Sequence, residues 1–471
     1  MNDDLQHGPP LKGIKVVELA RILAGPWAGQ VLADLGAEVV KIESPGGDDT
    51  RGWGPPFWGE SAAAFHAYNR NKRGITVDLA NEAERAGLRK FVVEKADVLV
   101  HNVKAGAMDK LGFGYDALKK LNPKIIYCSL KGFLPGPYEH RTGLDEVVQM
   151  MGGLAYMTGG RFGPLRAGAS VNDVMGGVFG AVAILAALNQ RHATGEGQYV
   201  QSALFENNAF LMGQHMLEGF ATGQPVKPMP DRIRAWALYD NFKTKEGELV
   251  FVGVVTDTQW KVFCESFGLT ALFNDPELKT NPQRVVARPR ILPIVSEIFA
   301  NMGKQELMDR CEKLGLPFAP IAKPEDLFED KHLNASGGLT PVTLNNGVKS
   351  KVPVLPIEMD GQRFGTRIDI PQVGEHTRDV LKSVGYSEGD VEKLVSGKVV
   401  KYNPAIMGKN WVHLRDGSGD AAKETNDILV TTAAQAKVGD VVTVSGVVRT
   451  NKDFGSGYTY KVLIEDATLK P

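Results

Sequence analysis

The chain has 471 residues, a formal net charge of −1 and a hydrophobic content of 43%. This near-neutral balance excludes the strongly basic footprint of a protein that binds nucleic acid over its whole surface. The length is sufficient to bury a sizeable core, so we expect two or three domains.

The cysteines and the apolar runs limit the cellular setting. Cys128, Cys264 and Cys311 are far apart, so their spacing predicts neither a disulfide framework nor a metal site. No apolar run reaches the length of a membrane span, and the polar first residues do not form a signal peptide. We therefore predict a cytoplasmic protein with no bound metal and no membrane association.

Short apolar strands and helices alternate through the N-terminal part of the chain. A turn and a helix start at Gly25-Pro26 separate the first two strands. Strands are predicted within residues 11–20, 37–43, 69–78, 96–102, 125–132 and from Tyr199. Alternating strands and helices are typical of an α/β fold with a parallel sheet.

A glycine-studded helix is predicted from about residue 171, because apolar residues recur there at helical spacing. Gly176, Gly177 and Gly180 leave one face without side chains, so that another backbone or a ligand can approach closely. Asp173 lies in the first turn, where the helix dipole favours an ionised carboxylate that is available as a nucleophile. The alternative is that Asn172 or Asp173 simply caps the helix.

The order of these motifs resembles that of the family III CoA-transferases, the formyl-CoA transferase and carnitine CoA-transferase group, over roughly residues 10–396. The resemblance implies a Rossmann-like large domain, a smaller α+β domain and a homodimer of two interlocked chains. It divides the chain into a large domain over 1–224, a small domain over 225–330 and a return to the large domain over 331–396.

The resemblance places Asp173 at the family's acyl-accepting aspartate and implies coenzyme A or acyl-CoA as substrate. The positions that match the family's CoA contacts are Arg21, Ile22, Leu23, Ala24, Asn102, Val103, Lys110 and Lys131. Cations in such a cleft pair with the phosphates of the ligand. Lys72 adds positive charge in the run from Asn69 to Arg73, but we expect it to be a solvated surface charge.

The substrate class depends on how a second carboxylate is bound. Candidate cations are Arg166, Arg232 and Arg234. Three segments resemble the branch that handles dicarboxylates of the succinyl-CoA or mesaconyl-CoA type: 130–137, 145–153 and 205–208. The resemblance therefore predicts transfer of CoA to a dicarboxylic acid through an aspartyl mixed anhydride and an aspartyl-CoA thioester.

Two other functions remain open from the sequence. The same family contains 2-methylacyl-CoA racemases, which pair the aspartate with a histidine, but Leu144 occupies the matching position and cannot move a proton. A catalytically idle scaffold, in which the C-terminal part binds a partner, is the second alternative.

Residues 397–471 lie beyond the transferase pattern and read as five alternating strands with glycine and aspartate turns. They resemble a small bacterial OB-fold barrel, whose aromatics often bind single-stranded nucleic acid. Trp411, Phe454 and Tyr458 are nevertheless interpreted as core residues. The acidic residues of the tail offset its cations, so we do not expect nucleic acid as a partner. An engineered or misassembled fusion would also explain the abrupt join.

Overall fold

The computed structural model describes residues 8–59, 61–104, 106–232, 234–385, 396–406, 409–415, 427–453 and 459–470. It divides into two compact units. The first comprises Met1–Thr158, Pro164–Val226 and Ala335–Pro471, and the second comprises Gly159–Gly163 and Lys227–Asn334. The predicted domain boundaries at 224, 330 and 396 remain a prediction.

The first stretch of the chain forms most of the first unit. Its elements are β1 Lys15–Leu19, α1 Ala24–Asp34, β2 Glu38–Glu43, β3 Phe57–Trp58, β4 Ser61–Ala62, α2 Ala63–Ala67, β5 Lys72–Thr76, α3 Glu82–Lys95, β6 Val98–His101, α4 Ala107–Lys110, α5 Tyr115–Leu121, β7 Ile126–Lys131, α6 Asp145–Met151, α7 Leu154–Gly159, α8 Val171–Thr194, β8 Tyr199–Ala203 and α9 Leu204–Thr222.

A six-stranded sheet in the order β5-β2-β1-β6-β7-β8 organises this unit. Each neighbouring pair is parallel, as in the register Val16↔Val39 between β1 and β2 and Val16↔Val98 between β1 and β6. The strands are rich in buried valine, isoleucine and leucine, because parallel sheets are covered on both faces. The predicted α/β class with a parallel sheet is confirmed.

The second unit is built on its own antiparallel sheet, in the order β11-β10-β9. Its elements are β9 Leu238–Lys243, β10 Leu249–Val254, α10 Asp257–Ser266, α11 Thr270–Asn274, α12 Asn281–Val286, α13 Arg288–Ala300, α14 Lys304–Lys313, β11 Phe318–Pro320 and α15 Lys331–Ala335. Its core contains Trp260, Phe263 and Phe299, which pack on the buried face of β10.

The chain then returns to the first unit through β12 Leu339–Thr343, β13 Lys349–Pro353, β14 Glu358–Met359, β15 Gln362–Arg363 and α16 Thr377–Lys382. Asn71 fastens this return segment to the start of β5. Its amide N–H donates to the Ile368 carbonyl, and its side-chain oxygen accepts from the amides of Arg367 and Ile368. Asn71 therefore joins chain segments that are far apart in sequence.

The C-terminal strands form a closed barrel in the order β16-β17-β18-β20-β19. They are β16 Ser396–Ile406, β17 Lys409–Arg415, β18 Ile428–Thr432, β19 Val441–Asp453 and β20 Thr459–Lys470. Trp411 is buried against Leu429 and Leu463, which agrees with a core role. Phe454 and Tyr458 fall outside the described residues. The likeness to an OB fold remains a prediction.

Helix α8 corrects one sequence expectation. By length and composition it could cross a membrane, although no apolar run of that length was predicted. Its glycine face is buried against α1, as is usual for a core helix of a globular unit.

The contact between α1 and α8 is possible only because glycine lacks a side chain. A Cβ atom on Gly177 would lie 2.5 Å from Trp27 Cβ and 2.8 Å from the Ala24 carbonyl oxygen. A Cβ atom on Gly180 would lie 2.8 Å from Leu130 Cδ2. The prediction of a bare helix face for close backbone approach is confirmed.

We expect Gly177→Ala to lower the free energy of unfolding by about 1–3 kcal/mol, because the backbone of α1 must move away from the added methyl group. The matched control is Gly52→Ala, at an exposed position outside α8 and α9 where a Cβ atom meets nothing within 4 Å. This control should be neutral or stabilising by about 0.4–1 kcal/mol, since alanine lowers the conformational entropy of the unfolded chain. Chemical denaturation of both variants measures the difference, and equal effects would contradict the close-packing argument.

Candidate active site

Three of the predicted CoA-contacting residues lie at the carboxyl edge of the parallel sheet, where ligands bind in α/β folds. Arg21 follows β1, Asn102 follows β6, and Lys131 is the last residue of β7. Asn102 joins two of these strand ends. Its Oδ1 accepts from the Arg21 amide at 3.0 Å, and its Nδ2 donates to the Arg21 carbonyl at 2.6 Å.

The two cations at this edge already contact carboxylates. The Arg21 guanidinium is 67% exposed and lies 3.2 Å from Asp49, while Lys131 Nζ lies 2.7 Å from Glu139. Arg21 can therefore reach a ligand from solvent, whereas Lys131 is largely buried. Lys110 is exposed at the end of α4, which follows β6 along the chain.

The turn between β1 and α1 contains the remaining predicted contacts. Ile22 has a left-handed backbone with φ of +71°, Leu23 occupies the N-cap position of α1, and Ala24 is its first residue. Within the described residues, no side chain caps this helix. Its first N–H groups are therefore free of a side-chain cap and suited to an anionic group. Val103, on the neighbouring strand end, is half-buried.

Asp173 is the third residue of α8 and does not cap the helix. The N-cap position belongs to Ser170, and no side-chain hydrogen bond is formed there. Asp173 lies one turn before Gly177 on the same helix face, and Gly177 packs on the Ala24 carbonyl. The carboxylate is therefore next to the start of α1.

The structure adds an opposing effect to the ionisation expected for Asp173. Burial raises the pKa of its carboxyl group to about 7, and the nearby Asp145 charge adds to this effect, whereas Arg166 opposes it. These two effects outweigh the helix dipole, which contributes only about 0.3–1 kcal/mol at ordinary sites. Near neutral pH, protonated and ionised forms of Asp173 therefore coexist.

Asp145 is a site residue that the sequence interpretation missed. Its Oδ1 accepts from the Asn172 amide at 2.9 Å, directly beside Asp173. Its Oδ2 accepts from Gln149 Nε2 at 2.7 Å and from Arg166 Nη2 at 3.1 Å. The sequence feature that could have revealed Asp145 is its position directly after Leu144, at the start of a helix. Leu144 is the residue that was compared with the racemase histidine.

Arg166 is a substrate candidate that lies near Asp173 within the first unit. Besides Asp145, its guanidinium donates to Ser170 Oγ at 2.8 Å, in the loop that enters α8. Arg232 and Arg234 belong to the second unit, where both are half-buried. Their role in binding substrate remains a prediction.

Lys72 is not the solvated cation expected from the sequence. It is fully buried, and its Nζ lies 2.8 Å from Glu18 and donates to the Pro26 carbonyl and to Asn69 Oδ1. Burial lowers the pKa of Lys72 to about 8, although Glu18 opposes the shift. The sequence suggested a surface charge because Glu18, its partner, belongs to a distant strand.

A second buried lysine completes this charge cluster under the turn. Lys41 Nζ donates to Glu18 Oε1 at 3.1 Å, to Asp48 Oδ2 at 2.7 Å and to the Ala20 carbonyl at 3.1 Å. Burial disfavours its charge, but Glu18 and Asp48 raise its pKa above the usual range. The ammonium group therefore stays protonated inside the protein.

Tyr68 is another neighbour of Asp173 that sequence reasoning missed. Its ring packs on Trp27 of α1 at a centroid distance of 5.7 Å. Burial raises the pKa of its phenol, and the charges of Asp48 and Asp173 contribute in the same direction. The phenol therefore remains neutral and lies in the field of both carboxylates.

The family model described as CoA-transferase family III matches residues 11–377. The chain belongs to CoA-transferase family III. The resemblance predicted from the sequence is thereby confirmed, and the protein is an enzyme of this family.

Among relatives of this family III enzyme is a protein named succinate–glutarate CoA-transferase from Agrobacterium fabrum, 37% identical over 81% of this chain and 97% of the relative. A mouse succinyl-CoA:glutarate CoA-transferase is 34% identical over 84% of this chain and 92% of its own. A crystal structure of a CAIB/BAIF family protein from Brucella suis is 36% identical, with a TM-score of 0.72 over 80% of this chain and 99% of that one.

The pH profile of CoA transfer should report the environment of Asp173. Because the ionised form is the nucleophile, the rate should rise with pH through about 7 and then level off. Asp145→Asn removes a charge that raises this pKa and releases Arg166, so the inflection should move to lower pH. Glu146→Gln, the neighbouring exposed acid on α6, is the control and should leave the inflection in place. An unchanged profile in Asp145→Asn would contradict this electrostatic assignment.

Proposed function

We propose that this family III enzyme transfers CoA from an acyl-CoA of the succinyl type to a dicarboxylic acid. The support comes from relatives named for glutarate and succinate exchange, and from a relative in Haloarcula hispanica named succinyl-CoA:mesaconate CoA-transferase, 32% identical over 80% of this chain and 97% of its own. The position of Asp173 between Arg166 and the uncapped start of α1 carries the chemical argument.

In the proposed mechanism, the Asp173 carboxylate attacks the thioester carbonyl and expels CoA thiolate, forming a mixed anhydride. The thiolate then attacks the aspartyl carbonyl, which releases the first acid and leaves an aspartyl-CoA thioester. The acceptor carboxylate attacks this thioester and again expels the thiolate. Attack of the thiolate on the acceptor carbonyl gives the new acyl-CoA and restores Asp173.

Each of these attacks passes through an anionic tetrahedral species. Preorganised N–H groups stabilise such oxyanions without the cost of reorganising water. The amides of Leu23 and Ala24 at the start of α1 meet this requirement, because α1 is uncapped by a side chain and packs next to Asp173. Leu23 itself offers no polar side chain, so the contribution comes from the backbone.

Cations near the site suit both proposed substrates. A donor acyl-CoA brings anionic phosphates to Arg21 and Lys131, which now contact Asp49 and Glu139. The acceptor's distal carboxylate is assigned to Arg166, whose positive charge lies within the electrostatic reach of Asp173. Arg166 would thereby favour dicarboxylates over monocarboxylates.

Racemisation is disfavoured by Leu144, since the position of the second acid–base group carries an aliphatic side chain. Leu144 is 56% exposed and lies at the N-cap position of α6. His140, a histidine four residues before Leu144, is exposed in the loop that precedes α6. A catalytically idle scaffold is disfavoured by the intact grouping of Asp173 with Asp145 and Arg166.

We also propose a cytoplasmic homodimer. Large apolar side chains are exposed along α8 and α9: Val178, Val182, Phe210, Leu211, Met216, Leu217 and Phe220. Phe220 is the most exposed of these seven residues, at 87%. An apolar surface of this kind on a single chain marks a contact with another protein. A second copy of the chain is its assigned partner.

The deciding experiment incubates the protein with succinyl-CoA and a panel of glutarate, mesaconate, malate and matched monocarboxylates, with new thioesters detected by mass. We expect transfer to at least one dicarboxylate and far slower transfer to monocarboxylates. Arg166→Gln should raise KM for the dicarboxylate selectively. Transfer that does not distinguish the two classes would contradict the proposed substrate.

Asp173→Asn should abolish transfer, and hydroxylamine should convert the activated Asp173 carbonyl to a hydroxamate, with release of CoA or the acid, only in the parent protein turning over acyl-CoA. The variant should be at least as stable as the parent, because burying an ionised carboxylate is unfavourable. The raised pKa of Asp173 implies a stability cost that grows from about pH 4 to pH 7. The gain in melting temperature should therefore be larger at pH 8 than at pH 5. Residual full activity would exclude Asp173 as the nucleophile.

The barrel is proposed to be an independent appendage with an OB-like fold. Its strands are hydrogen-bonded to one another around a closed ring, and its core includes Val399, Val412 and Val430. Deleting residues 396–471, the whole barrel, should leave kcat for CoA transfer and the dimer mass nearly unchanged. Light scattering and oligonucleotide titration at physiological salt provide the readouts. Loss of the dimer, or tight binding of single strands by the full chain, would contradict the appendage role.

A further inference from the structure

The turn that leads into α1 contains an uncommon backbone conformation. Ile22 has φ of +71°, in the left-handed region that β-branched residues rarely adopt, because their Cβ atom crowds the backbone. In the part of the chain that the structure describes, the other non-glycine residues with positive φ are Asn71 and Asp360, whose residue types tolerate it better. Such a conformation persists only where its surroundings enforce it.

Three side chains hold the peptide groups of this turn. Lys41 donates to the Ala20 carbonyl at 3.1 Å. Asn102 bonds both the amide and the carbonyl of Arg21. Asp48 Oδ1 accepts a long contact from the Ile22 amide at 3.5 Å. Side chains outside the turn therefore form hydrogen bonds with the polar backbone groups on both sides of the Arg21–Ile22 peptide bond.

Asp48 is rigidly anchored for this task. Its side chain is 1% exposed, and its Oδ2 lies 2.7 Å from Lys41 Nζ. Its Oδ1 also accepts from the Thr50 amide at 2.9 Å and the Thr50 hydroxyl at 2.8 Å, while its own amide donates to Glu43. Asp48 therefore acts on the turn directly through Ile22 and indirectly by orienting Lys41 toward Ala20.

We propose that Asp48 is a positioning residue for CoA transfer. It holds Ile22 in the left-handed conformation and thereby aims the N–H groups of Leu23 and Ala24 at the thioester that reacts with Asp173. This role rests on the proposed oxyanion function of those amides. Asp48 itself lies beneath the turn and acts through the backbone.

The first test is Asp48→Asn, which keeps an oxygen for Thr50 and Ile22 but removes the charge opposite Lys41. A misplacement of about 1 Å in catalytic donors costs about 10²-fold in rate. We therefore expect kcat to fall about 10²-fold, while KM for the acyl-CoA changes much less. A kcat within a small factor of the parent would overturn the proposal.

Two further variants separate positioning from simple structural support. The double variant Lys41→Met with Asp48→Asn removes the uncompensated buried charge, and Glu18 retains Lys72, so the melting temperature should recover toward that of the parent. Its kcat should stay low, because the hydrogen bond from Lys41 to the Ala20 carbonyl is lost and the acceptor for the Ile22 amide is no longer charged. Recovery of kcat together with stability would overturn the positioning role.

Asp34→Asn is the matched control, since Asp34 is equally buried at the other end of α1 and pairs with Arg70. It should lower the melting temperature and leave kcat unchanged. If Asp34→Asn lowered kcat as much as Asp48→Asn does, the loss of any buried carboxylate near α1 would have the same effect. That result would overturn the specific role of Asp48.

Amide hydrogen exchange separates failure of this inference from failure of the proposed function. Asp48→Asn should speed exchange across residues 20–24 without a matching change in β6. If Asp48→Asn speeds exchange across residues 20–24 but neither the parent protein nor the variant transfers CoA, the proposed function is contradicted and the hold of Asp48 on the turn is supported. Unchanged exchange with normal transfer would contradict the grip alone.

Discussion

The paired charges buried beneath the β1–α1 turn are the interaction on which the site depends. Glu18, Lys41, Lys72 and Asp48 lie inside the protein, where an unpaired charge would cost several kcal/mol. They compensate one another only in a single arrangement of β1, β2 and β5. Because Lys41 and Lys72 also bond backbone carbonyls of the turn and of α1, this arrangement dictates the path of the chain at the carboxyl edge of the sheet.

Close packing of α8 on α1 then links the position of Asp173, the proposed nucleophile, to the position of this turn. Gly177 rests on the backbone of α1, so α8 cannot shift relative to the turn without losing that contact. Burial raises the pKa of the Asp173 carboxyl group, and the Asp145 charge adds to the shift. A more exposed aspartate would be easier to ionise.

Several predictions from sequence were correct because they depend on local pattern. Alternating apolar strands and helices indicated a parallel α/β sheet, and the glycine spacing indicated a bare helix face. Other predictions were wrong where the deciding partner is distant in the chain. Lys72 was expected in solvent, yet Glu18 pairs with it inside the protein. Asp145 went unnoticed because only folding brings it beside Asp173.

The sequence by itself determined the α/β class, the membership in family III and the identity of the carboxylate in the first turn of α8. Those features follow from periodicity, residue type and motif order along the chain. Only the tertiary structure decided that burial raises the pKa of Asp173, that Lys41 and Lys72 are internal, and that Ile22 adopts a left-handed backbone. Desolvation and Coulomb interactions depend on distances between residues remote in sequence, and these distances exist only after the strands have assembled.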